Sequence, residues 1–219
     1  MYVSEDTGQR LVLIAIEGGD KLGKQTQAQA LADRLRLDGY SVAQEEVPWR
    51  DGVTRPRIYD MLFSGEAVKF PVVFQTIQGT NRRVMQALHM PKLCANHQIV
   101  VLDRWNASTW VYGRASGVGD NTTSTILSGI QEADLTLVFD GEAFPTPGKE
   151  DDTYEADKKF QRQVREGYRT WCVEQMHRAK LVNANRPKEV VHEEIYKAVM
   201  EWLAKHAPIL KHCRPTHTD

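Results

Sequence analysis

Cysteine is scarce in this chain of 219 residues, net charge is nearly absent, and no apolar run is long. Cys94, Cys172 and Cys213 are odd in number and scattered, which reads as free thiols in a reducing compartment and excludes a disulfide framework. The formal net charge of −1 gives no reason to expect a nucleic-acid polymer or an acidic membrane as partner. Met1 to Arg10 is polar and acidic, and the apolar run Leu11–Ile16 is too short for a signal-peptide core or a membrane span. His206, His212, Cys213 and His217 lack the compact spacing of a metal site. No internal repeat or low-complexity tract is present. These absences leave a cytoplasmic enzyme built as one domain over residues 1–219, long enough to bury a sizeable core.

What is present is organised around Gly18-Gly-Asp-Lys-Leu-Gly-Lys-Gln-Thr26. It follows the continuous apolar run Leu11–Ile16, a strand buried on both faces, and opens a helix carrying Ala28, Leu31, Ala32 and Leu35. Gly18, four residues, then Gly23-Lys24 is the phosphate-binding loop pattern in all but its last letter. Gly18, Gly19, Leu22 and Gly23 supply a backbone whose N–H groups cradle phosphate oxygens, Lys24 adds a point charge, and the helix presents its positive end. Gln25 occupies the position of the Mg²⁺-ligating hydroxyl, and Thr26 follows one residue late.

Strand and helix then alternate. Strands are predicted over Ser41–Val47, Gln98–Leu102, Asp134–Phe139 and Lys180–Val182. Helices are predicted up to about Phe63, from Pro71 to the break at Pro91, and over Trp105–Arg114, Thr122–Ala133, Tyr154–Arg178 and Glu189–Lys205. The pattern implies a three-layer α/β fold, a parallel sheet of about five strands with right-handed crossovers and ligands at the strands' carboxyl ends. A small acidic lid is placed at about 141–157, and a polar tail from about 206. At the strand ends stand Pro48-Trp49-Arg50 and Asp103-Arg104-Trp105, with Arg82 on the helix before the third strand. Three arginines beside a triphosphate site suggest a second phosphorylated ligand, and Asp103 is placed to join phosphate-bound Mg²⁺. Phosphoryl transfer from a nucleoside triphosphate to a phosphorylated acceptor fits this set.

Ile16 to Gln27, Pro48-Trp-Arg50, Asn81-Arg82, Val101 to Ser108, Asp152-Thr-Tyr-Glu155 and Leu181 to Ile195 resemble, in order, the motifs of the thymidylate kinase family of P-loop nucleoside monophosphate kinases. The resemblance spans about Leu11 to Leu203 and implies ATP as donor, Mg²⁺ as cofactor, a deoxynucleoside monophosphate (dTMP first) as acceptor, and a homodimer. It implies that Lys24 and the loop amides hold ATP phosphates and that Asp20 meets the acceptor's 3′-hydroxyl. It likewise implies that Arg50 and Arg104 grip the acceptor phosphate, and that Arg82 reaches the base. The Trp105 ring would crowd the 2′ position, Ser108 and Thr109 would approach the base, and Asn183 and Asn185 would lie near adenine.

Departures surround the acceptor base. Gln78 stands where the family has a stacking aromatic, with Phe74 one turn back, and Trp105 replaces Tyr. A kinase for another or a 5-modified deoxynucleotide therefore remains open, and so does a nucleotide-binding module without turnover. Asp103 and Gln25, directly or through water, are the candidate metal residues. The family puts its catalytic cation either in the phosphate loop or in the lid. The lid here holds only Lys149 among carboxylates, so Lys21 is expected to carry that charge.

Overall fold

The computed structural model describes residues 1–3, 8–145, 152–208 and 210. In chain order the elements are β1 (Tyr2–Val3), β2 (Arg10–Gly18), α1 (Lys24–Leu37), β3 (Val42–Glu46), α2 (Arg55–Ser64), α3 (Glu66–Lys69), α4 (Pro71–Leu88) and α5 (Met90–Asn96). Then follow β4 (Ile99–Asp103), α6 (Asn106–Ala115), α7 (Asp120–Leu127), β5 (Leu135–Asp140), α8 (Thr153–Ala156), α9 (Lys158–Glu174), β6 (Ala179–Asn183) and α10 (Lys188–His206).

Five strands pair in the order β3-β4-β2-β5-β6, all parallel, and β1 adds a short antiparallel pair to β2 that the sequence pattern did not signal. The fold is thus α/β with a central parallel sheet between helical layers. Alternation along β2 divides the core. Val12, Ile14 and Ile16 face α1 and α10 with Leu31, Leu35, Ile195 and Val199, while Leu11, Leu13 and Ala15 face the opposite layer with Met85 and Trp105. Side chains that alternate across a strand force this division, and two covered faces explain why β2 is apolar without interruption. A third cluster, including Ile58, Met61, Phe74, Tyr168 and Trp171, joins α2, α4, α6, α8 and α9 beside β5.

Three boundaries differ from expectation. The long helix from Tyr154 is two helices, because Asp157 leaves helical geometry and its Oδ1 accepts from the N–H groups of Lys159 (2.9 Å) and Phe160 (3.0 Å), starting α9 afresh. The helix near Thr122 stops at Leu127, and Gly129 at φ 77° turns the chain towards β5. The helix from Pro71 ends at Leu88, in keeping with the predicted break, but Pro91 lies in the first turn of a further helix, α5, that was not expected. Among the described residues no helix is long and apolar enough to cross a membrane.

Candidate active site

The phosphate loop takes the shape its glycines allow. Gly18 has φ 135° and a Cβ there would stand 2.5 Å from the Phe139 carbonyl oxygen, so only glycine lets β2 pass this close to β5. Gly23 at φ 75° turns the chain into α1. Lys24, almost fully buried, points back over the loop and donates to the Gly19 carbonyl at 2.5 Å. Burial, aided by the nearby Arg104 guanidinium, pushes its ammonium down to about 8 against the opposing pull of Asp20, Asp103 and Glu17. Lys21, left-handed at φ 57°, receives the Phe144 N–H on its carbonyl at 2.9 Å, and its ammonium meets Glu155 of α8 at 3.3 Å.

The loop opens into a cleft of about 480 Å³, within the size range of small-ligand sites. Asp20 is its focus. One Asp20 oxygen pairs with Arg104 Nη2; the other accepts from the Tyr112 hydroxyl at 2.6 Å and from the Gln161 amide at 3.2 Å. Burial alone would raise the Asp20 carboxyl, but Arg104 and Lys24 outweigh it and hold the group below its ordinary range. Burial and the Asp20 charge push the Tyr112 hydroxyl far up, so it remains a hydrogen-bond donor. Arg104 is a non-glycine residue at φ 69°, and its Nη1 donates to the Gly18 carbonyl at 3.0 Å.

One wall of the cleft lies along α4 and α6. Phe74, Gln75, Gln78 and Arg82 line it from α4, and Ser108, Thr109 and Tyr112 from α6. Arg82, 2% exposed, donates from Nη2 to the Trp105 carbonyl at 2.9 Å and from Nη1 to the Gln78 carbonyl at 3.0 Å; its Nε is buried without a partner. Burial draws that guanidinium down to about 10, so it is charged at neutral pH. The Thr109 hydroxyl is likewise buried and unpartnered, whereas the Ser108 hydroxyl is engaged by Glu17 at 2.6 Å. Phe74 meets Tyr154 of α8 edge-on at 5.8 Å. Two buried polar atoms, a guanidinium N–H and a hydroxyl, are thus left unsatisfied on one wall.

Two expectations need correction. Arg50 does not enter the cleft with Arg82 and Arg104. Its side chain is 76% exposed and leans on Glu46 at 3.4 Å, because Glu46, closing β3, gathers Arg50 and Arg55 beside the cleft. Trp105 does not face the sugar site either. As the residue preceding α6 it has an extended φ of −156°, and its ring packs in the core with Leu11 and Leu13 while the indole N–H donates to the Gln131 carbonyl at 2.7 Å. Tyr112, two turns further along, is the aromatic ring beside Asp20.

Asn183 and Asn185, expected near adenine, are engaged with each other and with Glu142. Asn185 accepts from the Glu142 N–H at 2.6 Å and donates to the Glu142 carbonyl at 2.9 Å, and the Asn183 side-chain oxygen accepts from the Asn185 N–H at 3.0 Å. Lys149, His212, Cys213 and His217 lie outside the described residues.

The residues at the expected metal position fit Mg²⁺. Asp103 closes β4 at the cleft with Oδ1 buried and unpartnered, and Gln25 and Thr26 line the same cleft with exposed side chains. An unpaired carboxylate oxygen beside a phosphate cradle is a hard-cation ligand.

Sequence reasoning missed Glu17, Gln75, Tyr112, Tyr168 and Gln161. Helical spacing held a signal for Tyr112, which follows Ser108 by four residues on one face of α6. Glu17 offered another, a charge directly after the apolar run Leu11–Ile16.

A strand, a glycine loop and a helix, with a buried lysine over the loop and an aspartate–arginine pair next to it, define a P-loop phosphotransferase. The thymidylate kinase family model matches residues 16–195. The thymidylate kinase of Caldanaerobacter subterraneus subsp. tengcongensis is 30% identical over 202 residues, covering 87% of this chain and 95% of the relative. That of Exiguobacterium sibiricum is 28% identical over 208 residues (88% and 95%), and that of Bartonella quintana 29% over 201 residues (83% and 92%). The chain belongs to the thymidylate kinase family, and it is a phosphotransferase.

Proposed function

We propose that this single-domain enzyme transfers the γ-phosphoryl group of ATP to dTMP, giving dTDP and ADP. The observation that carries the reading is the Asp20–Arg104–Tyr112 cluster, which adjoins Lys24 in one cleft. A module that bound only a triphosphate would have no use for a carboxylate and a buried guanidinium beyond the phosphate loop.

In this reading the loop amides and Lys24 hold the donor phosphates, and Asp20 accepts from the acceptor's 3′-hydroxyl. Arg104 holds the acceptor phosphate so that one of its oxygens meets the γ-phosphorus as the bond to the β-phosphate oxygen breaks. Lys21 neutralises charge on the transferring group, which requires its ammonium to leave Glu155 for the phosphates. Tyr112 takes the 2′-guarding role in place of Trp105, and Arg82 with Thr109 reads the base edge. Asp103 and Gln25 would hold Mg²⁺, which when bound neutralises charge on the donor's phosphate oxygens. Cytoplasmic residence and a homodimer belong to the reading through the family alone.

The Gln78 amide oxygen lies 3.4 Å from Arg82 Nη1 where a stacking ring is expected, and this favours a second reading, a kinase for another or a 5-modified deoxynucleotide. A panel of nucleoside monophosphates with ATP and Mg²⁺ decides. dTMP should lead, dCMP should follow, and UMP should fall well behind. Preference for dAMP or dGMP overturns the pyrimidine assignment. ADP formation that ignores the added monophosphate removes the acceptor reading altogether.

A further inference from the structure

We propose that Glu17 is a positioning residue for the acceptor site: its carboxylate caps α6 from β2 and so fixes the turn that aims Arg104 at Asp20. The inference rests on the reading of Arg104 as the acceptor-phosphate contact. Glu17 is fully buried, and four donors converge on it. Oε1 accepts from the N–H of Trp105 (2.7 Å) and of Ser108 (3.2 Å); Oε2 accepts from the hydroxyls of Ser108 (2.6 Å) and Tyr168 (3.0 Å).

The need for such a group follows from the sequence of the helix start. Trp105 precedes α6 and offers no side-chain oxygen, so the first-turn N–H groups have no local cap. In a buried location they would be left unsatisfied. The carboxylate supplies the missing acceptor from a neighbouring strand and sets a negative charge at the helix's positive end.

The turn just upstream is held by the same strand. The Arg104 N–H donates to the Ile16 carbonyl at 2.9 Å, and the next N–H along goes to Glu17. Arg104 is thus gripped on both sides while it holds its left-handed φ of 69°. Its head returns to the same strand, with Nη1 on the Gly18 carbonyl at 3.0 Å and Nη2 on Asp20. Loss of the Glu17 carboxylate frees the Trp105 N–H and the first turn of α6. The left-handed turn is then held from one side only.

Kinetics and crystal structures of Glu17→Ala and Glu17→Gln test this. Glu17→Ala should raise the acceptor KM by about thirtyfold or more and the donor KM by less than about threefold, and Arg104 should part from Asp20 in the crystal. Glu17→Gln, which places a donor where Oε2 accepts, should raise the acceptor KM by about tenfold and shift the first turn of α6. In an Arg104→Ala background the Glu17→Gln effect should shrink below about twofold, because the group it aims is gone. Equal rises in both KM values, or full additivity with Arg104→Ala, overturn the proposal. If Glu17→Ala does not fold, Glu17→Gln carries the test. If the wild-type protein phosphorylates no monophosphate, the acceptor reading fails by itself. The Glu17→Gln crystal then decides the positioning role, which falls if Arg104 and α6 superpose on wild type.

Discussion

Arg104 and Arg50 carry the same guanidinium, one lining the cleft and the other resting outside it beside Glu46, yet their surroundings have little in common. On the β4–α6 wall, Arg104 is 19% exposed, paired with Asp20 and anchored to the Gly18 carbonyl. On the β3–α2 wall, Arg50 is 76% exposed and makes a long contact to Glu46, which Arg55 already holds at 2.8 Å. Fixed dipoles in a dry site act on a developing charge without reorganising, whereas an exposed side chain must first lose its own freedom. The first wall is prepared before a substrate arrives. The second leaves its guanidinium in solvent.

The largest effect should come from breaking the prepared wall. Arg104→Ala is expected to lower kcat/KM for the acceptor by about a thousandfold, since it removes a phosphate contact and leaves Asp20 buried without its counter-charge. Arg50→Ala should cost about tenfold and fall mainly on acceptor KM. Steady-state kinetics with equal losses for the two variants would erase the distinction between the walls.

Next in size is Lys21. Lys21→Ala should lower kcat by roughly a hundredfold while nucleotide affinity, read by calorimetry, changes far less, as befits a contact made in the transition state. A loss confined to affinity would return Lys21 to the role of a binding residue held by Glu155.

The pH dependence should be milder. With the Lys24 ammonium at about 8, the protein binds a proton along with the donor phosphates above that pH. Donor affinity should therefore be level below pH 8 and weaken by up to about tenfold per unit above it. The direction follows from the sign. Burial lowers the free-protein value, phosphate restores the charged form, and high pH opposes the restoration. Donor affinity level from pH 7 to 10 would place the ammonium far above 8.

The smallest expected effect is the most discriminating for sugar choice. Trp105→Phe should leave the dTMP-to-UMP preference within about threefold, because the ring is in the core, whereas Tyr112→Ala should reduce it by about tenfold or more. The reverse ranking in the same assay would put the Trp105 ring back against the sugar.

These contrasts also mark what the sequence could convey. The parallel sheet was legible because β2, β4 and β5 are covered on both faces and read as largely apolar runs, unbroken over Leu11–Ile16 and Ile99–Leu102. The phosphate loop was legible because backbone geometry demands glycine at Gly18 and Gly23. A motif fixes a residue's position along the chain but not where its side chain points. Trp105 shows this, since one extended φ at the start of α6 turns its ring into the core. Arg50 shows it too, for Glu46 and Arg55 outside the motif decide where it rests. Glu17 was hidden for another reason. Its partners lie in β4–α6 and α9, so its meaning exists only once those elements meet.

The Asn185 clasp on Glu142 bears on the entropy of binding in the cleft. Its amide binds the N–H and the carbonyl of that residue, and Phe144, two residues on, donates its N–H to the Lys21 carbonyl. The segment from Glu142 to Phe144 is therefore already confined to one path between the turn that follows β6 and the phosphate loop. Ordering a backbone residue costs about 1–2 kcal/mol. Each residue held in this way in advance is one that a ligand binding over the phosphate loop does not have to order.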